Sequence, residues 1–302
     1  MKRLDWVSAC TRCPTLLRQA GLLAFAINSM SPAASAQSES AWYLTWGYNR
    51  SAYTRSHVHI VGNGPHGPFD LTFAAAEAND MPERFQPKVY FHPRFFTIPQ
   101  FNVRVGRSLG GGVKVGLGWD HMKYKLSDQT LSATGTAAAG DLAEAHHLPA
   151  LDEEASESLE LNDAAIFWGK GFNFEHSDGV NFVRISLESE RIFWARGATS
   201  LRGFGMASVG LAVCSTDFTW AGERTKNRQH LSGFGASIHG GIRLYANSHL
   251  FLQCTGQTGA LALPWIRIQG PGEARADQRF GFVEGAFAIG YAWGLTSSAH
   301  QP

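Results

Sequence analysis

Eight stretches of this chain alternate large apolar residues with small or polar ones in steps of two, a period that one-sided strands require and helices cannot use. Trp42, Leu44, Trp46 and Tyr48 alternate with Tyr43, Thr45, Gly47 and Asn49; Phe101, Val103 and Val105 alternate with Asn102 and Arg104. Val113, Val115, Leu117 and Trp119 stand against Lys114, Gly116, Gly118 and Asp120, and Val183, Ile185 and Leu187 against Arg184, Ser186 and Glu188. Val209, Leu211 and Val213 alternate with Ser208, Gly210 and Ala212, and Leu250 and Leu252 with Phe251 and Gln253. Phe234, Ala236, Ile238 and Ile242 lie opposite Gly235, Ser237, His239, Gly241 and Arg243. Val283, Phe287, Ile289, Tyr291 and Trp293 close the series against Glu284, Ala286, Ala288, Gly290 and Ala292.

A secreted β-sandwich also alternates, so two further features decide the environment. The polar face is mostly Gly, Ala and Ser with scattered charges, which suits the inside of a narrow barrel better than a water-facing sheet. The apolar face carries aromatics near segment ends (Trp42, Trp119, Tyr291, Trp293), as the interfacial girdles of membrane barrels do. The connections also alternate. Long ones cover roughly 50–99, 127–179, 217–230 and 258–280; shorter ones lie near 108–112, 189–202 and 246–248. Such barrels have long loops outside the cell and short turns on the periplasmic side. The expected fold is therefore all-β, an antiparallel up-and-down transmembrane β-barrel of eight strands, with ten as the second choice. The turn at 189–202 is long for its side, and the stretches 57–75 and 166–176 are placed to extend hairpins above the membrane.

Residues 1–36 read as a secretory signal peptide, leaving 37–302 as the barrel. Lys2, Arg3, Arg12 and Arg18 form a basic leader, an apolar run covers 20–27, and Ala34-Ser35-Ala36 supplies the small side chains a signal peptidase inspects, with cleavage expected before Gln37. The eight-residue run spans about 12 Å as a helix, too short for a hydrocarbon core of about 30 Å. A net charge of +1 argues against nucleic acid as a partner. Cys10 and Cys13 leave with the leader. Cys214 and Cys254 remain on strands that are not neighbours, which disfavours a disulfide without deciding it.

The charged residues of the small-residue face form a lumen set: Arg104, Lys114, Asp120, Arg184, Glu188, His239, Arg243 and Glu284. Eight strands enclose a space just wide enough for side chains, and buried charges must pair. A salt-bridged plug is the expectation, a gated polar path the alternative. Ser237 and His239 share this face and, with Glu188 or Glu284, are the raw material of a Ser-His-acid hydrolase. Their inward direction argues against meeting a lipid chain. His121, Glu175, His176 and Asp178 are expected at the extracellular rim, with Ser177-Asp178-Gly179 as turn residues. A joint zinc site on His121, Glu175 and His176 is the alternative there; neither metal nor other cofactor is the expectation. The connection at 127–179 is acidic, with no Lys or Arg between Lys125 and Lys170, but lacks the spaced aspartates of a calcium loop; a solvated loop is expected. Arg224, Lys226 and Arg228 are suited to lipopolysaccharide phosphates.

Gly118-Trp119-Asp120-His121-Met122-Lys123-Tyr124 and Phe174-Glu175-His176-Ser177-Asp178-Gly179-Val180-Asn181 resemble motifs of a family of bacterial outer-membrane barrel proteins that carries no assigned activity. The stretches 85–91 and 97–102 resemble the same family ahead of its second strand, and the resemblance covers most of 37–302. It implies an outer-membrane barrel. The chain departs from many such barrels in continuing past the last aromatic, which moves the assembly signal inward to Tyr291 and Trp293. The expected role is non-enzymatic, in envelope structure or in binding a surface ligand through the loops, with outer-membrane lipid and lipopolysaccharide as partners. The alternative is a lipid-modifying enzyme of the lipid A deacylase or acyltransferase type.

Overall fold

The structure, a computed structural model, describes residues 41–81, 86–90, 99–146, 155–168, 171–268 and 274–294. The signal-peptide expectation lies outside these residues. Eight strands form a closed ring: β1 (Trp42–Tyr53), β5 (Phe101–Gly110), β6 (Val113–Leu126), β9 (Phe172–Arg196), β10 (Thr199–Trp220), β11 (Glu223–Tyr245), β12 (Leu250–Arg267) and β13 (Arg275–Trp293). Each pairs antiparallel with its chain neighbour in the ring. β13 closes on β1 in unbroken register from Trp42↔Trp293 to Tyr53↔Phe282. All eight strands contain the alternating stretches of the sequence, in the expected phase. Leu117, Ile185, Val209 and Ile289 are each more than half exposed on the outer wall, whereas Arg184, Glu188, Arg243 and Glu284 are buried inside.

One end of the ring is made of tight turns. Gly111-Gly112 joins β5 to β6, Gly197-Ala198 joins β9 to β10, and 246–249 joins β11 to β12. Gly197 sits at φ 59°, where a side chain would strain the backbone, and it occupies the first central position of a two-residue hairpin. The connection expected at 189–202 is thus mostly strand, because the inward phase of Glu188 simply continues through Glu190.

The other end departs more from the loop expectation. The stretch 217–230 is not a loop: β10 and β11 run on as a hairpin to a two-residue turn, Ala221-Gly222, with φ 45° and 75°. Residues 50–99 contain β2 (Ser56–Asn63), β3 (Pro68–Ala76) and β4 (Ala78–Asn79), plus a helical turn at Pro87–Tyr90; 127–179 contains β7 (Gln129–Ala138), a helix at Ala139–His146 and β8 (Ser158–Trp168). β2 pairs with the upper part of β13, Arg275↔Val61 to Arg279↔His57, and the sheet continues through β3, β7 and β8. The acidic stretch is correspondingly not an open loop in its described part. Asp141 is buried and accepts the backbone N–H of His66 at 3.0 Å, while Asp152, Glu153 and Glu154 lie outside the described residues.

These strands build a head above the ring, filled with apolar side chains. Val58, Ile60, Phe69, Leu71 and Phe73 of β2 and β3 pack against Phe172, Phe218 and Trp220. The Phe69–Trp220 and Phe73–Phe172 ring centroids lie 4.9 and 5.0 Å apart. Each such side chain contributes about 1.5–3 kcal/mol by leaving water. The loop reading missed the head because bulges break the period. Register shifts fall at Ala212/Val213 and Cys214/Thr216 in the β10–β11 pair and at Leu263/Ile266 in β12, beside Pro264. A bulge flips every residue beyond it to the other face, so step-of-two reading loses the strand there.

Candidate functional site

The lumen of the ring is the densest gathering of polar side chains, and it holds the expected set in two layers. Nearer the tight turns, Arg243 reaches across from β11 to β9. Its Nη2 donates to Glu188 Oε2 at 2.8 Å, its Nη1 contacts both Glu188 and Glu190, and its Nε donates to Gln253 Oε1 at 2.7 Å. Lys114 Nζ lies 2.8 Å from Glu190 and 3.7 Å from Glu188, and Arg202 donates to Glu190 at 3.0 Å. Tyr43 closes the layer by donating to Glu188 at 3.3 Å. The guanidinium of Arg243 also lies 4.4 Å from the centre of the Phe204 ring.

The second layer is centred on Asp120. Arg184 Nη2 donates to Asp120 Oδ1 at 2.8 Å, and the Gln257 amide bridges Asp120 Oδ2 at 3.0 Å and Glu284 Oε1 at 2.5 Å. Ser51 donates to the other Glu284 oxygen at 3.0 Å. Arg104 shares this level, buried, with no ion pair among the described residues. A buried charge stripped of its partner would cost about 3–5 kcal/mol, so each layer is held by its own pairs. Tyr43, Ser51, Glu190, Arg202, Gln253 and Gln257 were not singled out from the sequence. Glu190 was signalled by the even phase of Arg184 and Glu188, and Tyr43 and Gln253 stood on the polar face. The bridging amides carried no signal, since their value depends on which strands meet.

Ser237 and His239 do come together: Ser237 Oγ lies 2.9 Å and Ser208 Oγ 3.1 Å from His239 Nε2. The third member of a triad is missing. His239 Nδ1 has no hydrogen-bond partner among the described residues, and the two glutamates considered for it are engaged, Glu188 by Arg243 and Glu284 by Gln257 and Ser51. A histidine oriented by no acid beside a serine behind the barrel wall lacks the geometry of a hydrolase.

The rim residues are dispersed rather than joined. His121 donates from Nδ1 to Asn181 Oδ1 at 2.9 Å and stacks on Phe101, whereas His176 bonds Thr216 at 3.1 Å deep in the head. Glu175 accepts from Ser177 at 2.9 Å and faces Lys125 at 3.6 Å, and Asp178 pairs with Lys226. Among the described residues no group of three metal-ligating side chains forms, so the joint zinc arrangement does not assemble. Ser177-Asp178-Gly179 lies within β9 and not in a turn. Gly179, at φ 118°, lets the strand pass His121, whose ring atoms lie 2.3 Å from where a Cβ would stand.

Of the cationic trio, Arg224 is bound by Asp217 and Lys226 by Asp178, which leaves Arg228. Cys214 is buried and Cys254 exposed, both with free thiols, on strands separated by β11.

No family model and no curated protein matches this chain. Among solved structures it is similar to the outer membrane protein OprG from Pseudomonas aeruginosa, at 9% identity and TM-score 0.39, covering 85% of this chain and 97% of the other. The N-terminal β-barrel domain of Pseudomonas aeruginosa OprF follows at 10% identity and TM-score 0.33, over 85% and 99%. Ail, the attachment invasion locus protein of Yersinia pestis, matches at 10% identity and TM-score 0.30, over 84% and 99%. What defines the class here is the ring itself: an eight-stranded, antiparallel, up-and-down β-barrel of the transmembrane type, apolar outside and ion-paired inside.

Proposed function

We propose that this protein is a closed, non-enzymatic barrel of a Gram-negative outer membrane, exported by the signal peptide at 1–36, with its tight turns in the periplasm and its head outside the cell. Its role is structural, as an anchor that holds the β-rich head at the surface for envelope support or ligand binding. The observation that carries this reading is the double seal on the lumen. Arg184 and Arg243 are fully buried in ion pairs inside the ring, and the apolar head stops the lumen above them. Ions crossing such a path would break buried pairs at several kcal/mol each. Reconstituted in planar bilayers, the protein is expected to show no stable conductance. Regular, voltage-independent channel steps from the purified chain would overturn this reading and favour the gated path.

A further inference from the structure

We propose that the outer wall carries a binding site for a phosphorylated lipid headgroup at the junction of barrel and head, formed by Arg267, Arg275 and Arg279 on β12 and β13. The inference rests on the membrane placement above and names the lipid chemistry that the wall takes. All three arginines are exposed, and none has an ion pair among the described residues. Arg267 and Arg275 are direct partners in the β12–β13 ladder. Side chains of such a pair leave on the same face about 5 Å apart at Cβ, and like charges there repel. An anion between them removes that cost. Arg279 projects from the same face of β13 four residues nearer the ring, opposite Ala262. Asp277, the acid between Arg275 and Arg279, is bonded to His59 Nδ1 at 2.9 Å and so is turned to β2.

Two observations point to a lipid rather than to a dissolved anion. Directly below the cations, Trp265 and Phe234 are about half exposed with ring centres 6.2 Å apart, the amphipathic kind of pair found at a membrane interface. Arg279 and Phe234 also border a groove on the apolar outer wall, lined by Ala260, Ala236, Val209 and Ile185, which are cross-strand partners in one row. The wall is therefore cationic at the top and apolar below, the order in which an acylated headgroup presents phosphate and chains. The patch spans two paired strands, about 5 Å apart, and about 13 Å along β13. That extent fits a headgroup carrying two separated phosphates better than a single one. The site is thus distinct from Arg224, Lys226 and Arg228, which the sequence suggested for that role.

The test uses the full mature chain in phosphatidylcholine vesicles containing diphosphorylated lipid A, its monophosphorylated form or its dephosphorylated form, with inorganic phosphate as a fourth arm. Retention of the diphosphorylated lipid is expected to exceed that of the dephosphorylated lipid at least about tenfold, as charge-assisted contacts to phosphate imply. The double variant Arg267→Gln and Arg275→Gln should lose that preference while keeping the heat-modifiable gel mobility of a folded barrel; the single variant Arg279→Gln should weaken it less. Equal retention of all three lipids, or an undiminished preference in the folded double variant, would overturn the site. Binding of inorganic phosphate as tight as that of the lipid would overturn the lipid assignment. Failure to insert into any vesicle would count against the membrane reading instead, so the two outcomes are distinguishable.

Discussion

The same strands carry opposite interiors in the ring and in the head. On β9 the inward side chains are Glu190, Glu188 and Arg184 within the ring and Phe174 and Phe172 above it; on β13 they change from Glu284 to Phe280. Beyond the switch, one thin hydrogen-bonded layer interrupts the apolar interior of the head, where Gln278 donates to Tyr124 Oη at 2.7 Å and to Ser56 Oγ at 3.0 Å. The surroundings explain the reversal. In water, burying apolar surface drives the inside of the head together. A ring surrounded by lipid gains nothing that way, because its apolar residues are already satisfied outside. Its narrow interior is held instead by paired charges, each of which is costly to leave alone.

That contrast yields predictions of graded size. The largest effect should come from stripping the ring: Arg243→Leu leaves Glu188 and Glu190 short of their partner and is expected to cost about 3–5 kcal/mol, lowering the temperature at which the barrel loses its compact gel mobility. An unchanged transition would mean that water, not side chains, neutralises these acids. Phe218→Ala should cost a similar gross amount, about 3–5 kcal/mol, but only in the head. Its signature is faster amide exchange and proteolysis at β2 and β3 with the ring transition unmoved; a joint loss of both regions would show that they fold as one unit. Smaller still, Ile185→Arg on the outer wall should cost about 2–4 kcal/mol in a bilayer, while the same change at an exposed head position such as Glu223 should be nearly silent.

The smallest effect is a pH response confined to the head. Burial pushes His176 down to about 3, with the neighbouring His230 adding to the shift. Its folded value is depressed, so the folded head binds fewer protons than the unfolded chain, and stability is lost as pH falls below about 6.5. His59 acts in the opposite sense. Partial burial disfavours its charge, but the bonds from Asp70 and Asp277 outweigh that and raise it, so its contribution is present at low pH and fades as pH rises through the folded value. Amide exchange at β9 and β10 is expected to quicken on moving from pH 7 to pH 5, and His176→Gln should flatten that response. Equal acid sensitivity in the variant would place the titrating group elsewhere.

Much of the ring was legible from residues alone, because a wall between lipid and a packed lumen imposes one period and one phase. Trp42, Leu117, Ile185 and Ile289 announced the outer face, and Arg184, Glu188, Arg243 and Glu284 the inner one. The head was not legible to the same depth. Its strands β2, β3, β7 and β8 lie between ring strands in the chain, and bulges near Gly179, Gly233 and Pro264 break the alternation where the ring strands enter it. The rim histidines were legible as types but not as a site, since His121 and His176 differ in which neighbour each meets.

What the sequence by itself determined is therefore local: which residues of the ring are strand and which face each turns. Phase is a property of consecutive residues, and it needs no partner to be read. Only the tertiary structure decided that β13 meets β1, that Arg243 takes Glu188 and Glu190 while Asp120 takes Arg184, and that Arg267 stands opposite Arg275. Each of these joins residues far apart in the chain, and their pairing depends on register across strands, which a one-residue bulge anywhere along the way resets.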